Sequence, residues 1–581
     1  METDMNTTVE SSFGSIIAST KSESKTNPKW VQWILVACMF ASGAAGLVLE
    51  YIQATVSSFI LGNSIHQWAV IIAMMLFMMG VASKVQRFFV GKRNLMNTFI
   101  YIEIILALIG AYSALGTYAA YAYLPDHFGL VQYFFVMSIG FLIGLEIPVI
   151  MRINDDYAGK LSVNIDQVFS ADYIGSLVGA LVFVYVLIRY FPMTEASFII
   201  AGVNFMIAVV AFLYFWKRGL LTREYLTLLM VILTAASLVY GYMHNREWNF
   251  KLEQHLYDDK IEKVLDTQYQ HIVVTHNPTL DELRLYINGN LQFSSHDEYR
   301  YHELLVHPAM KIALAHKKVL ILGGGDGMAL REVLKYKDVE EVLVVDLDPK
   351  MTEYAANDPT LRRLNDGAFD DARVRTASGP GVEAGELVPL FQETGKEDEY
   401  KLAKTEKVAQ VHVMNIDADK FLNAVRGKYD VVIVDLPDPS SIELAKLYSR
   451  GFYSKIRRIL MDGGVMVVQS TSPDLAKESF LCVKRTIEAA DLNTIPYHTL
   501  VTSFGDWGWI LATKKDYPQR YLEQRMDNLE FDVDTRYITP ELFNASRVFG
   551  KGMLESKNKE ISTMMRPVIL DTYLLESWKY D

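Results

Sequence analysis

The sequence predicts a multi-pass α-helical membrane domain followed by a doubly wound α/β domain, the latter introduced by a small β-hairpin domain. Three observations carry that reading. Long apolar runs crowd residues 31 to 243, whereas 244 to 581 mix apolar stretches with charge as a water-soluble core does. Short β-rich runs with an Asn-Gly turn begin near Ile272. From Lys318 to Asp346 a strand, a glycine-rich turn, a helix and a second strand ending in an acid follow one another. At 581 residues and 51% hydrophobic content, the chain exceeds one ordinary core and calls for two or three units.

Residues 1–29 are rich in Ser, Thr, Glu and Lys without an apolar region, which predicts a disordered N-terminal tail and not a cleaved signal peptide. The membrane domain spans 30–245. At roughly 20 residues per crossing, its apolar runs give seven helices, near 31–53, 68–90, 97–120, 130–151, 170–191, 195–217 and 223–243. Lys and Arg flanking a span resist translocation. Lys21, Lys25 and Lys29, then Lys84, Arg87, Lys92 and Arg93, then Arg152 and Lys160, then Lys217, Arg218 and Arg223 all fall on one side, which places the N-terminus inside and the C-terminal half outside. Glu50, Glu103, Glu146 and Asp172 lie within the runs, where a carboxylate costs a few kcal/mol unless it meets partners or water. They hydrogen-bond between helices, sit near the interface, or line a polar path or amine-binding cavity. The Ser42-Gly43-Ala44-Ala45-Gly46 run, Gly175 and Gly179 suit close helix packing.

Only Cys38 and Cys482 occur, so neither a disulfide framework nor a cysteine metal site is expected, and no metal cluster is read elsewhere. The net charge of -12 argues against a nucleic-acid surface and suits a cationic substrate, as well as plain solubility.

The small β domain is expected over 246–310, where His271 to Thr275 and Leu283 to Ile287 read as strands and Asn288-Gly289 as a hairpin turn tolerant of positive φ. A Rossmann-like domain follows over 311–545. Its strand Lys318 to Leu322 runs into Gly323-Gly324-Gly325-Asp326-Gly327, a helix starts at Met328, and a second strand from Glu341 ends in Asp346, placed to accept hydrogen bonds from a ribose. The loop lacks pyrophosphate spacing and puts Asp326 where a phosphate would need bare N–H groups, so a cationic nucleoside such as a sulfonium fits it better. Two further strands deliver Asp417 and Asp435-Leu436-Pro437-Asp438-Pro439. A protonated amine cannot attack until it loses a proton, and a partly desolvated carboxylate such as Asp435 is a suitable base. Asp438 could address the same ligand from another side, or cap a helix.

These residues resemble the spermidine synthase family, in its membrane-attached form. The glycine loop with Leu330-Arg331-Glu332-Val333-Leu334 is similar to that family's cofactor loop and helix, and Asp435 to Pro439 to its paired-aspartate loop. Similar stretches are Gln268-Tyr269-Gln270, Asn288-Gly289 with Gln292, Asp297-Glu298-Tyr299 with Tyr301-His302-Glu303, Leu447-Tyr448-Ser449 with Phe452-Tyr453, and Tyr537 with Thr539-Pro540-Glu541, in order over about Asp266 to Ala545. The resemblance implies a class I methyltransferase-like fold and transfer of the aminopropyl group of decarboxylated S-adenosylmethionine to putrescine or a related amine, without metal. It implies that Gly323, Gly325 and Asp326 (on the aminopropyl ammonium), Asp346 (ribose), Asp417 and Ala418 (adenine), Gln270 and His302 hold the co-substrate. Asp435 would take the proton, Tyr301 would orient the amine, and Asp438 and Phe504 would line its pocket. Soluble relatives commonly pair, which implies a homodimer.

Departures from the family pattern are Met328 for glycine, Asp346 for glutamate, Leu436-Pro437 between the aspartates, and Phe504 in Thr502 to Trp509, where a tyrosine is usual. An insertion is expected at about 376–410 and a C-terminal extension at 546–581. Two other readings stand beside the transferase: a polyamine-binding sensor or transport module with a synthase-like domain, and an S-adenosylmethionine-dependent methyltransferase on the same fold. The expected location is a bacterial-type inner (plasma) membrane. Charge counting places the C-terminal half outside, whereas its co-substrate is cytosolic; the supply of co-substrate favours the cytosol.

Overall fold

The computed structural model of the chain describes residues 28–61, 64–89, 95–158, 161–370, 374–376, 391–393, 400–402 and 410–577. Nearly all of the expected N-terminal tail and most of the expected insertion at 376–410 lie outside the described residues. The chain divides into two compact units, Met1–Leu256 and Tyr257–Asp581.

The first unit is helical: α1 (Pro28–Leu61), α2 (Ser64–Phe89), α3 (Leu95–Tyr123), α4 (Phe128–Ala158), α5 (Leu161–Val182), α6 (Met193–Trp216) and α7 (Glu224–His255). Among the described residues, seven helices are long and apolar enough to cross a membrane. A segment of this composition closes its backbone hydrogen bonds internally, which is the condition for lying in lipid. α1 and α5 touch backbone to backbone through small residues. A Cβ on Gly175 would lie 2.0 Å from the Phe40 carbonyl oxygen, and one on Gly179 2.4 Å from that of Ala44, so only hydrogen fits. α7 continues to His255, past the apolar run that ends near Met243. Apolar patterning stops where lipid would end, whereas i to i+4 hydrogen bonding continues through Lys251, Glu253 and Gln254.

The second unit opens with an antiparallel sheet in the order β1 (Lys260–Asp266), β2 (His271–Asn277), β3 (Glu282–Ile287), β4 (Asn290–Ser294). Asn288 (φ +50°) and Gly289 (φ +80°) turn β3 into β4, as a primed hairpin turn requires. After α8 (Glu298–Ile312) comes β5 (Lys318–Gly323), then α9 (Met328–Leu334), β6 (Glu341–Asp346), β7 (Val374–Thr376), β8 (Phe391–Glu393), β9 (Tyr400–Leu402) and β10 (Gln410–Asn415). They are followed by α10 (Ala418–Ala424), β11 (Tyr429–Asp435), α11 (Arg450–Ile459), β12 (Leu460–Gln469), α12 (Lys477–Ala489), β13 (Leu492–Val501), β14 (Gly505–Lys514) and, near the C-terminus, α13 (Val568–Ser577).

The large sheet has the order β13-β14-β12-β11-β5-β6-β10-β7, with β8 and β9 forming a separate ladder. β7, β10, β6, β5, β11 and β12 are parallel, and β14 and β13 add antiparallel at one edge. Val319 and Ile321 of β5 enter one core while Leu320 and Leu322 enter the other, so both faces are covered and the strand reads as an unbroken apolar run. β5 lies between β6, the next strand in sequence, and β11. That reversal opens a crevice beyond the carboxyl ends of the strands, the usual ligand position in a doubly wound sheet.

Candidate active site

The glycine loop occupies this crevice because its residues have no side chain. Gly323, Gly324 and Gly327 have φ of +86°, +66° and +83°. A Cβ on Gly323 would stand 1.9 Å from the Asp435 carbonyl oxygen, and one on Gly325 2.7 Å from the Asp346 carboxyl carbon. The loop thus passes between the ends of β11 and β6. Gly324 N–H donates to the Asp435 carbonyl (3.2 Å) and Gly325 N–H to Asp346 Oδ2 (3.1 Å). Asp326 Oδ1 accepts from Met328 N–H (2.9 Å), which starts α9 without a helix-cap side chain at Gly327. Asp346 Oδ1 accepts from Asp348 N–H at 2.8 Å. Burial pushes the Asp346 carboxyl up to about 7, against its backbone donors and with the charges of Asp348 and Asp326 adding to the rise.

Asp435 is the last residue of β11, and its Oδ1 accepts from the Tyr301 hydroxyl of α8 at 2.8 Å. Burial pushes this carboxyl up to about 6; His302 and the tyrosine bond oppose the rise, and Asp326 adds to it. Burial likewise pushes Asp438 up to about 6, although its two oxygens accept from Gln469 Nε2 (3.0 Å) and the Tyr573 hydroxyl (2.9 Å). Asp438 caps no helix: Ser441 accepts from Leu444 N–H in that role. The loop between the aspartates is clamped from beneath. The Tyr448 hydroxyl donates to the Pro437 carbonyl (3.0 Å), and Gln469 Nε2 donates to that of Leu436 (2.7 Å).

His302 is buried beside this pair. Burial alone would lower its pKa, but the Glu298 carboxylate at 2.9 Å, with Asp326 and Asp435 further off, holds it up at about 9. Glu298 in turn accepts both terminal nitrogens of Arg331, at 2.9 and 2.8 Å. An imidazolium therefore sits among the carboxylates and partly offsets their repulsion.

Asp417 lies two residues beyond β10 and caps α10, its Oδ1 accepting from the N–H groups of Asp419 (2.8 Å) and Lys420 (3.2 Å). Its Oδ2 pairs with Lys446 at 2.6 Å. Burial works against its charge, but Lys446 and the two N–H donors hold the carboxyl below the usual range. Ala418 opens α10 and is buried. Gln270 lies in the turn between β1 and β2, which Thr267 Oγ1 closes by accepting Gln270 N–H at 2.9 Å. Among the described residues no hydrogen bond joins its side chain to the carboxylates.

Phe504 forms an aromatic wall with Trp507 (ring centroids 4.9 Å) and Tyr301 (6.1 Å, edge to face), and Trp509 lies 5.7 Å from Tyr301. Asp297, just before α8, fixes that wall. Its carboxylate accepts from Thr502 Oγ1 (2.7 Å), Ser503 N–H (2.7 Å) and Ser503 Oγ (2.9 Å), tying the β13–β14 turn to the helix that carries Tyr301.

A profile of the spermine/spermidine synthase domain matches residues 298–385 and 400–524. A polyamine aminopropyltransferase of Oceanobacillus iheyensis is 34% identical over 536 residues, covering 91% of this chain and 94% of that one. Polyamine aminopropyltransferase 2 of Ralstonia nicotianae is 36% identical over 564 residues, covering 94% and 98%. The chain belongs to the spermine/spermidine synthase family. The solved spermidine synthase of Thermotoga maritima is 23% identical, covers 51% of this chain and 87% of its own, and superposes with a TM-score of 0.39, too weak a likeness to add weight.

The family's matched region holds Tyr301, His302, the glycine loop, Asp346, Asp417, Asp435, Asp438 and Phe504. Gln270 and Tyr573 lie outside it. The sequence pointed to no role for Gln469 or Tyr573. Gln469 is the last residue of its strand, and the carboxyl end of a sheet strand was the signal that could have found it. Tyr573 carried no local signal, because only the return of the C-terminal helix brings it near Asp438.

Proposed function

We propose that the chain transfers the aminopropyl group of decarboxylated S-adenosylmethionine to putrescine or a related amine, giving spermidine or its analogue and methylthioadenosine. The observation that carries this is Asp435: a half-buried carboxyl at the switch point, held by Tyr301 and flanked by the glycine loop that leads to Asp326 and Asp346. The donor set fits the co-substrate, since two substrates bearing ammonium and sulfonium charge call for carboxylates and no metal. Among the described residues no cluster could hold a metal ion.

Asp326 receives the aminopropyl ammonium, and Asp346 the ribose hydroxyls. Asp417 and the backbone at Ala418 face the adenine, with Gln270 and His302 completing the contacts. Asp438 holds one nitrogen of the diamine. Asp435 takes the proton of the other, with Tyr301 fixing the carboxyl. The freed nitrogen pair attacks the methylene carbon beside sulfur. The carbon–sulfur bond breaks, and its electrons leave sulfur neutral. A base near 6 is charged at neutral pH yet still accepts a proton readily. Phe504 contributes an apolar face without a hydroxyl, so the pocket accepts amines longer than putrescine as readily as putrescine.

The helical unit anchors this chemistry to a bacterial-type inner membrane, and the catalytic unit faces the cytosol, where its co-substrate is made. The four-stranded sheet β1–β4 acts as the small domain that closes over the nucleoside. Purified full-length protein supplied with decarboxylated S-adenosylmethionine and putrescine should release methylthioadenosine. Asp435→Asn should slow that release by about 10²–10⁴-fold. Methyl transfer from ordinary S-adenosylmethionine in its place, or a variant as fast as wild type, refutes the proposal.

A further inference from the structure

The helical unit gathers polar side chains at one level of the bundle. Ser42 of α1 donates to Glu146 Oε2 of α4, and Gln132 of α4 donates to Ser57 of α1 at 2.6 Å, so these helices run antiparallel with Ser42 opposite Glu146. Gln53 of α1 donates to Ser113 of α3 at 2.8 Å. About three turns back along both helices, Ser42 comes level with Glu103. Ser197 of α6 donates to the Gly110 carbonyl of α3 at 2.7 Å, and about two turns along the antiparallel pair Asn204 comes level with Glu103. Asp172 of α5 borders the same level, its Oδ1 lying 2.5 Å from where a Cβ of Gly43 would be.

Glu103, Glu146 and Asn204 are at most 1% exposed. Both oxygens of Glu103, Oε1 of Glu146 and both amide atoms of Asn204 are buried without a hydrogen-bond partner. Each such group carries a desolvation penalty that no hydrogen bond returns, larger if the group is charged. The Asn204 side chain is neutral, and no hydrogen bond joins it to either acid. That neutral side chain is the independent sign of a ligand.

We propose that this level is a binding site for an aliphatic amine cation, separate from the catalytic carboxylates. An ammonium group can donate N–H bonds to Glu103, to Glu146 and to the Asn204 carbonyl together. Further acceptors continue along α1 through Gln53 and Ser57 to Gln132, whose Oε1 is also unpartnered. That line extends about 20 Å along the helix from Ser42 and suits a chain with several amino groups.

Equilibrium binding of radiolabelled putrescine to the full-length protein in detergent tests the site. Glu103→Gln should remove one putrescine site per chain while aminopropyl transfer continues. Asn204→Leu, which changes no charge, should remove the same site and guards against a misfolded acid variant. Loss of transfer activity would bear on the catalytic reading alone, since the stoichiometry is read without turnover. Equal putrescine stoichiometry in wild type and both variants overturns the proposal, as does saturable binding of radiolabelled sodium that Glu103→Gln abolishes while putrescine binding is unchanged.

Discussion

Asp435 shows how burial makes a weak acid useful. Partial burial raises its carboxyl to about 6, and His302 and Tyr301 keep it from rising further. Because that value governs its proton-accepting form, log kcat/KM for the amine should bend downward as pH falls through about 6, with an acid limb to which Asp438 contributes. A flat profile between pH 5 and 8 would contradict the assignment. The same shift acts on stability. A carboxyl raised above its unfolded value contributes stability that is complete below about pH 4 and lost as pH rises through about 6. At pH 8 Asp435 is therefore a cost to the empty protein. Asp435→Asn should raise the thermal midpoint at pH 8 by a few degrees, on the order expected for about 1 kcal/mol in a domain of this size. That gain should vanish near pH 4. The Asp-Leu-Pro-Asp loop made both carboxylates visible in the sequence; their hydroxyl donors come from residues more than a hundred positions away, which no local pattern contains.

At the level of elements, α13 reaches back over the sheet's carboxyl edge. Its Glu576 accepts the N–H groups of Glu478 (2.8 Å) and Ser479 (2.9 Å) and the Ser479 hydroxyl (2.7 Å) at the start of α12, where a carboxylate meets the positive end of the helix dipole. The same helix presents Tyr573 to Asp438 at 2.9 Å. Tyr573→Phe should raise KM for the amine several-fold and leave kcat nearly unchanged, because in the proposed reaction Asp438 binds the amine and Asp435 is the base. A fall in kcat at constant KM would place Tyr573 elsewhere in the chemistry. Glu576→Ala should lower the thermal midpoint through the lost cap, by about 1 kcal/mol, and carry the KM effect with it. The glycine loop shows the opposite legibility. Its residues are adjacent in sequence, so the strand-turn-helix pattern and its need for bare backbone were readable directly, while the 1.9 Å clearance at Gly323 belongs to the fold.

For the whole molecule, the seven helices long and apolar enough to span a bilayer would, if all cross, put the two termini on opposite sides of it. Reporters fused after Asp581 and before Met1 should therefore disagree, and a cytosolic signal from the C-terminal fusion is the outcome expected for a catalytic unit supplied from the cytosol. An external C-terminal signal would instead uphold the charge count on Lys and Arg. The two-part organisation, the seven apolar helices, the glycine loop and the order of the carboxylates all followed from sequence. Helix length, strand alternation and turn chemistry are local, and each is set by a few neighbouring residues. Tertiary structure decided the rest: that Tyr573 and Gln469 close on Asp438, that Asp297 pins the Phe504 turn to α8, and that Ser42 of α1 meets Glu146 of α4. Such meetings depend on how distant segments stack, and their energy is released only when backbone register brings the groups within hydrogen-bonding or electrostatic range.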